Sequence, residues 1–336
     1  MDSLPTQETG LFGHYTVHAD GSRVAQSSAP AAINMSVTLA DLRAGQRVLE
    51  IGTGSGYSTA RLARAVGATG QVVSVDVNES LVERARGLLR ADGLDNVELV
   101  CQDARAGLPA GRPFDRVLAW ATAPGVPEAW LTRTRLGGLL VLPVAIAPLA
   151  GATAVVRVRW TGTAPLVEQL VAGGYVPLHS ATSTGVVEPD KHAEVTWRTK
   201  PHGDWTTIGW ISAAWLRDAP SVVVDRVRRL GRRLAPRSPM LTRDEVEAFA
   251  VFAYTQRRDA VGVYIPDTGH AVGVGSDRGL AVVALASGAL WTAGQEDGAL
   301  LGAVQEWRAA GHPRLSDYGV RVEPVVGLWH IRLSLR

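Results

Sequence analysis

The sequence predicts an α/β fold: an open, mainly parallel sheet with helices on both faces, joined to a smaller α+β unit. Three observations predict it. Short apolar runs alternate with helix-length amphipathic segments from Val48 to about Pro143, the pattern of βαβ units. A glycine-rich loop follows the first of those runs directly, where such sheets bind ligands. After Pro148 the pattern changes: Thr153–Trp160 alternates apolar and polar residues, as an antiparallel strand does.

The elements follow in order. Residues 1–27 are polar without sustained period and are expected to be an extension, partly disordered or lying over the active site. A short helix is expected from Val37 to Leu42, stopped near Gly45. Val48–Ile51 is the first strand. Ser58–Val66 is a helix with Ala60, Leu62, Ala63 and Val66 on one side. Gln71–Val77 is the second strand. Ser80 caps a helix to Leu89, and Val97–Cys101 and Phe114–Trp120 are the third and fourth strands. Pro127–Arg135 is expected as a helix and Leu139–Pro143 as the fifth strand. Val167–Leu178 reads as a strand or short helix, and 180–200 as a linker or exposed loop. Beyond about residue 205 come a basic helix (Val222–Leu234), an acid-capped helix from Thr242, strands at Ala260–Ile265 and Leu280–Ala286, a helix at Ala299–Ala310 and two final strands. The boundaries are therefore an extension over 1–27, a sheet domain over 28–185 and a C-terminal unit over 200–336.

Composition narrows the function classes. Hydrophobic residues make up 46% and charged residues 20%, with 34 Lys+Arg against 32 Asp+Glu and a net charge of +2. No basic field is present to hold nucleic acid by phosphate neutralisation alone. The one cysteine, Cys101, lies in an apolar strand-like run and reads as a buried core thiol. The N-terminal MDSLPTQETGLFGHY lacks the apolar core of a signal peptide, and Leu136–Ala150, broken by glycines and prolines, is too short to span a bilayer. The expectation is a soluble, cytoplasmic protein with no membrane partner. The eight histidines show no metal-ligand spacing, so no metal site is expected. Oligomeric state has no sequence signal.

The informative motif is VLEIGTGSGY, Val48–Tyr57. Gly52, Gly54 and Gly56 permit positive φ and leave room for a ligand against the backbone, with Thr53 and Ser55 between them. The helix N-terminus beyond supplies N–H groups and positive dipole. That suits a nucleotide-like ligand with an anionic end. A nicotinamide dinucleotide would call for a third glycine where Tyr57 stands, and Glu50 would repel a pyrophosphate while accepting from an ammonium group. Asp76, followed by Val77, closes the second strand. It is placed to accept both ribose hydroxyls or to be a solvated strand end. Asp103, before Ala104, is placed to accept from the adenine amine or to cap a helix. Trp120 ends the fourth strand as a cofactor shelf or as core. All these features fall at the carboxyl ends of successive strands.

VLEIGTGSGYSTARLA, VVSVD, LDNVELVCQDARAGLP, PFDRVLAWATAPGVPEAWL, LGGLLVLPV and GGYVPL stand in the order and spacing of the protein isoaspartate O-methyltransferases. Residues 26–180 resemble that family. The resemblance implies a Rossmann-like class I methyltransferase sheet, S-adenosylmethionine as cofactor and a peptide or protein partner carrying aspartate or isoaspartate. It places Glu50, Gly52, Thr53, Gly54, Ser55, Gly56, Asp76, Val77, Asp103, Ala104 and Trp120 around the cofactor. Ser28-Ala29-Pro30 matches the family's S-x-P segment, so Ser28 is implied beside the methyl-transfer site, with Ser27, Pro30 and His179 on the substrate side. His179 stands where the repair enzymes carry threonine, and Ala31, Ala32 and Ile33 stand where many carry histidines. Residues beyond 200 have no counterpart in the short repair enzymes. The ending AVQEWRAAGHPRLSDYGVRVEP is similar to actinobacterial relatives that methylate an aspartate in graspetides, lanthipeptides or lasso peptides.

A carboxylate with a pKa near ~4 is ionised at pH 7 and needs no general base. Catalysis then rests on positioning and exclusion of water. The ester so formed is open to attack by the adjacent backbone nitrogen. That displaces methanol and gives a succinimide (aspartimide), which water opens to aspartate or isoaspartate. The primary expectation is an S-adenosylmethionine-dependent carboxyl O-methyltransferase acting on a ribosomally made, modified peptide, with residues 200–336 recognising it. The alternatives are general isoaspartate repair, a small-molecule methyltransferase of secondary metabolism, and a cofactor-binding module without catalysis.

Overall fold

The computed structural model describes residues 8–10, 13–17, 23–176, 178, 192–198, 208–266 and 268–336. His179 lies outside the described residues. The chain divides into two compact units. The first comprises Met1–Val144, Ala154–Gly185 and Val322–His330; the second comprises Ala145–Thr153, Val186–Arg321 and Ile331–Arg336.

The first unit opens with three short strands, β1 (Glu8–Gly10), β2 (Gly13–Val17) and β3 (Arg23–Ser27), which pair antiparallel. No strand was expected over 1–27, because each run is too short to show a period. Next come α1 (Pro30–Ala40), β4 (Arg47–Ile51), α2 (Tyr57–Val66), β5 (Gln71–Asp76), α3 (Glu79–Ala91), β6 (Val97–Cys101) and β7 (Phe114–Ala119). They are followed by β8 (Val126–Pro127), α4 (Glu128–Thr132), β9 (Thr134–Ala145), β10 (Thr153–Trp160) and β11 (Pro165–Ala172). The main sheet has the order β11-β10-β9-β7-β4-β5-β6. Strands β6, β5, β4, β7 and β9 are parallel neighbours, and β10 and β11 pair antiparallel. From β4 the chain steps outward to β5 and β6, then returns to β7 on the other side of β4. The carboxyl end of β4 is therefore the topological switch point of the sheet.

Helix α1 begins seven residues before the expected Val37, because Pro30 takes the first helical position, where its missing N–H and fixed φ cost nothing. It ends at Asp41, whose φ is 46°. The α3 cap is Asn78, accepting from Leu81 N at 3.2 Å, and not Ser80. The expected helix Pro127–Arg135 is cut to Glu128–Thr132, since Thr134 already pairs with Phe114 in β9. Cys101 is exposed, which corrects the buried-thiol expectation; it ends the edge strand of the sheet. Leu118, Val72, Leu62 and Ile33 share a core beneath the sheet.

The second unit contains β12 (Val195–Arg198), β13 (Ile208–Ser212), α5 (Ser221–Gly231), β14 (Ala235–Pro239), α6 (Arg243–Gln256), β15 (Ala260–Ile265), β16 (Gly269–Gly275), β17 (Gly279–Ala284), β18 (Ala289–Gly294) and α7 (Asp297–Ala309). Its antiparallel sheet has the order β12-β13-β15-β16-β17-β18-β14. Val227 of α5 packs into a core with Trp197, Ile211, Val263 and Val282. Thr242 and Glu245 cap α6 reciprocally. The chain ends in β19 (Tyr318–Val325) and β20 (Leu328–Leu335); within the first unit, Leu328 and Trp329 pair with β8. No helix among the described residues is long and apolar enough to cross a membrane.

Candidate active site

The sheet register brings the candidate residues to one edge. Gly52 N donates to Val75 O at 2.8 Å and Trp120 N to Ile51 O at 2.9 Å, so the glycine loop lies between the ends of β5 and β7. Asp76 pairs in register with Cys101, which sets Asp103 two residues past the end of β6. The backbone at Gly52, Gly54 and Gly56 is left-handed, with φ of 98°, 52° and 81°. A β-carbon at Gly52 would sit 3.4 Å from the β-carbon of Trp120. Gly56 also starts α2, whose first turn carries no side-chain cap. Its N–H groups and dipole favour an anionic ligand end.

Glu50 is fully buried. Its Oε1 accepts from Ser58 Oγ at 2.6 Å and Trp120 Nε1 at 2.7 Å, and its Oε2 from Thr59 Oγ1 at 2.5 Å and Ser74 Oγ at 2.7 Å. The expectation that this carboxylate faces a ligand ammonium group is therefore corrected. All its acceptor sites are taken by the protein, and it ties β4, β5, α2 and Trp120 together beneath the loop. Burial pushes its pKa above the usual carboxylate range, against the four hydrogen bonds. Thr53 is buried with its hydroxyl 2.7 Å from Ser74 Oγ, which fastens the loop to the same network. Ser55 Oγ lies 3.4 Å from Tyr57 N, the donor. The hydroxyls of Ser58, Thr59 and Ser74 were missed in the sequence; the signal was a polar residue inside the apolar run VVSVD.

Asp76 is half-buried. Its Oδ2 accepts from Gly54 N at 2.9 Å and its Oδ1 from Asn78 N at 3.0 Å. Each oxygen retains acceptor capacity for a further donor. Val77 is half-buried beside it. Asp103 forms a forked pair with Arg105, at 3.0 Å and 2.7 Å to Nε and Nη2, and accepts from Arg105 N at 2.9 Å. The Arg105 guanidinium holds the Asp103 carboxyl below its usual range. Asp103 thus caps a turn, not a helix. Ala104 is buried, and its carbonyl accepts from Trp130 Nε1 at 3.1 Å. Trp120 is 7% exposed: it is both core and the wall behind Gly52.

Upstream in the chain, Ser27 closes β3, Ser28 is half-buried, and Pro30 opens α1. Helix α1 is held by the sheet at its far end. Arg116 Nε donates to Ala40 O at 2.6 Å and its Nη2 to Asp41 O at 3.0 Å, while Arg157 Nη1 donates to Leu39 O at 2.9 Å. Among the described residues no group of three or more His, Cys, Asp or Glu side chains is placed to hold a metal ion.

The donor set fits S-adenosylmethionine. Left-handed glycines leave the backbone bare, an uncapped helix start suits a carboxylate, and Asp76 offers two acceptors at ribose-like spacing. Comparison with known proteins agrees. The family model for protein-L-isoaspartate(D-aspartate) O-methyltransferase matches residues 15–183. A protein-L-isoaspartate O-methyltransferase of Ignicoccus hospitalis is 38% identical over 151 residues, 45% of this chain and 71% of that protein. One from Anaeromyxobacter dehalogenans strain 2CP-C is 50% identical over 104 residues, 31% of this chain and 48% of that protein; the chain thus spans about half of that relative's length. A solved protein-L-isoaspartate O-methyltransferase aligns over 96% of this chain and 86% of its own, at 19% identity and a TM-score of 0.44.

Proposed function

The chain belongs to the protein-L-isoaspartate O-methyltransferase family of S-adenosylmethionine-dependent carboxyl O-methyltransferases, and on that premise we propose that it esterifies an aspartate or isoaspartate side chain of a modified, ribosomally made peptide. The observation that carries the reaction is the left-handed glycine loop at the switch point, with Asp76 tied to Gly54 and Glu50 buried beneath. In this reading Gly52, Thr53, Gly54, Ser55, Gly56, Asp76, Val77, Asp103, Ala104 and Trp120 line the cofactor. Asp76 takes the ribose hydroxyls and Asp103, shared with Arg105, the adenine amine. When bound, S-adenosylmethionine supplies an electrophilic methyl group. The protein's task is to align an already ionised carboxylate and keep water away. Ser28, with Ser27, Pro30 and His179 nearby in sequence or motif, is the substrate-side group that orients that carboxylate.

The C-terminal residues 200–336 are proposed to choose the substrate. Of the arginines on and after α5, Arg226 pairs with Asp277 at 2.6 Å, and Arg228 pairs with Asp225 and donates to Thr196 O. Arg229, Arg232 and Arg233 are exposed and make no ion pair among the described residues. Guanidinium forks suit carboxylates, so this face fits an acidic peptide. The test offers an isoaspartyl peptide, the matching aspartyl peptide and an acidic cyclised peptide, and follows a base-labile mass gain of one methyl group. Methylation of a short, sequence-tolerant isoaspartyl peptide alone supports general repair; methylation of the cyclised aspartyl peptide supports tailoring; methylation of no peptide refutes both.

A further inference from the structure

Tyr175 belongs to the GGYVPL segment, yet nothing in the chemistry above uses it. Its hydroxyl donates to Ala32 O at 3.0 Å and lies 2.8 Å from Ser36 Oγ, so it holds the first turns of α1. Ser36 is buried, and the tyrosine hydroxyl gives that polar group its partner. Tyr175 is itself fixed from the other side. Its N–H donates to Thr122 Oγ1 at 3.0 Å, and Thr122 Oγ1 donates to Tyr175 O at 2.7 Å. Thr122 N donates to Val176 O at 2.7 Å, and Leu178 N to Thr122 O at 3.0 Å. The tyrosine ring also meets Trp120 edge-on, with centroids 5.9 Å apart at 77°. One side chain therefore spans from the cofactor wall at Trp120 to the helix that starts at Pro30.

The two ends of α1 are held differently. Arg116 and Arg157 pin the carbonyls of Leu39, Ala40 and Asp41 with charged donors. At the other end, beside the buried Ile33, the Tyr175 hydroxyl ties α1 to the segment that Thr122 holds. Removing it loosens that end while the far end stays anchored. We propose that Tyr175 is a positioning residue for methyl transfer: its hydroxyl sets the distance between the Ser28–Pro30 segment and the cofactor wall. The inference rests on the reading of Ser28 as a substrate-side group.

Tyr175→Phe keeps the ring against Trp120 and deletes only the hydroxyl. Amide hydrogen exchange over residues 31–36 should rise about tenfold, the equivalent of one hydrogen bond, while residues 37–41 stay protected. With a peptide that the wild-type enzyme methylates, kcat should fall about five- to fiftyfold, because small misplacements of reacting groups are costly. Affinity for S-adenosylmethionine should stay within about twofold, since the glycine loop is untouched; a merely structural role would move kcat and cofactor affinity together. Ser36→Ala, which leaves the tyrosine bonded to Ala32, should give the same pattern at smaller amplitude and replaces Tyr175→Phe should that variant not fold. Unchanged exchange over 31–36, or unchanged kcat, overturns the proposal. If the wild-type protein methylates no peptide, the functional reading fails by itself. In that event a rise in exchange confined to 31–36 upholds the hold of Tyr175 on α1, and its absence overturns it.

Discussion

Replacing Glu50 by glutamine removes a buried charge while keeping its shape. An indole N–H can only donate, so the amide oxygen must face Trp120 Nε1 and Ser58, leaving the NH2 toward Thr59 and Ser74. Those two hydroxyls can rotate to accept. Each bond weakens from charge-assisted to neutral, a loss of about 1 kcal/mol per bond and about 2–4 kcal/mol in all. Against this, the variant no longer keeps a carboxylate out of water, a penalty of several kcal/mol. Because burial holds the Glu50 pKa above its usual value of 4.5, the desolvation side prevails. At pH 7 Glu50→Gln should therefore lie within about 1 kcal/mol of the wild type or above it. The sign with pH follows. A carboxyl with a raised folded pKa contributes stability that is full below its unfolded pKa and is lost as pH rises through the folded one. The amide variant lacks that slope, so it should gain on the wild type as pH rises above the ordinary carboxylate value of 4.5. Glu50→Ala should instead cost about 3–5 kcal/mol, since Trp120 Nε1 loses its acceptor in a buried site. Scanning calorimetry of the three proteins across that pH range decides it. A glutamine variant more than about 3 kcal/mol weaker at pH 7, falling further behind as pH rises, would refute the reasoning.

Asp76→Ala should weaken S-adenosylmethionine binding by about 1.5–3 kcal/mol, from the lost ribose contact and a loosened Gly54; titration calorimetry showing unaltered affinity removes the assignment. Ser28→Ala should lower turnover of a methylated peptide with cofactor affinity nearly unaltered, and wild-type turnover at saturating peptide would show that Ser28 does not orient the substrate. Reversing Arg229, Arg232 and Arg233 to glutamate should raise the peptide KM far more than it alters cofactor affinity. The effect should shrink in high salt, because exposed charges are screened beyond about 8–10 Å. Arg226→Ala, which breaks an internal pair, should leave KM unchanged; equal effects of the two changes would assign the helix a structural role only.

Much of the fold was legible because many of its strands are short apolar runs punctuated by glycine. β6 at Val97–Cys101, β10 at Thr153–Trp160 and β15 at Ala260–Ile265 begin and end where the pattern puts them. Patterns failed where tertiary pairing overrode local preference. Thr134 and Arg135 were expected as helix, but β9 pairs there with β7 and Gly137, at φ 75°, turns the chain within it. β13, β16 and β18 went unread because IGWIS, GHAVGVG and ALWTAG carry glycine or alanine where bulky residues mark a strand. The structure gives the reason for one of them. A β-carbon at Gly273 would lie 2.1 Å from Ala281 O, so glycine there serves the close approach of β17 and not a turn.

The cofactor loop was readable for a further reason: a ligand lying on bare backbone demands glycines at fixed spacing, and spacing is what a sequence displays. Esterifying a carboxylate makes no comparable demand. The nucleophile is ionised before it arrives, so no His–Asp pair and no perturbed base needs to stand beside it. What remains for the protein is distance, and distance here is kept by bonds between residues far apart in the chain. Trp120 reaches Glu50 across 70 positions, Arg116 reaches Ala40 across 76 and Tyr175 reaches Ala32 across 143. None of these three has a neighbour in sequence that announces its partner. A positioning mechanism should therefore concentrate its sensitive residues outside the recognisable motifs. Substitutions at Tyr175 and Arg116 should separate turnover from cofactor affinity more cleanly than any change within Gly52–Gly56, where the two are bound to fall together.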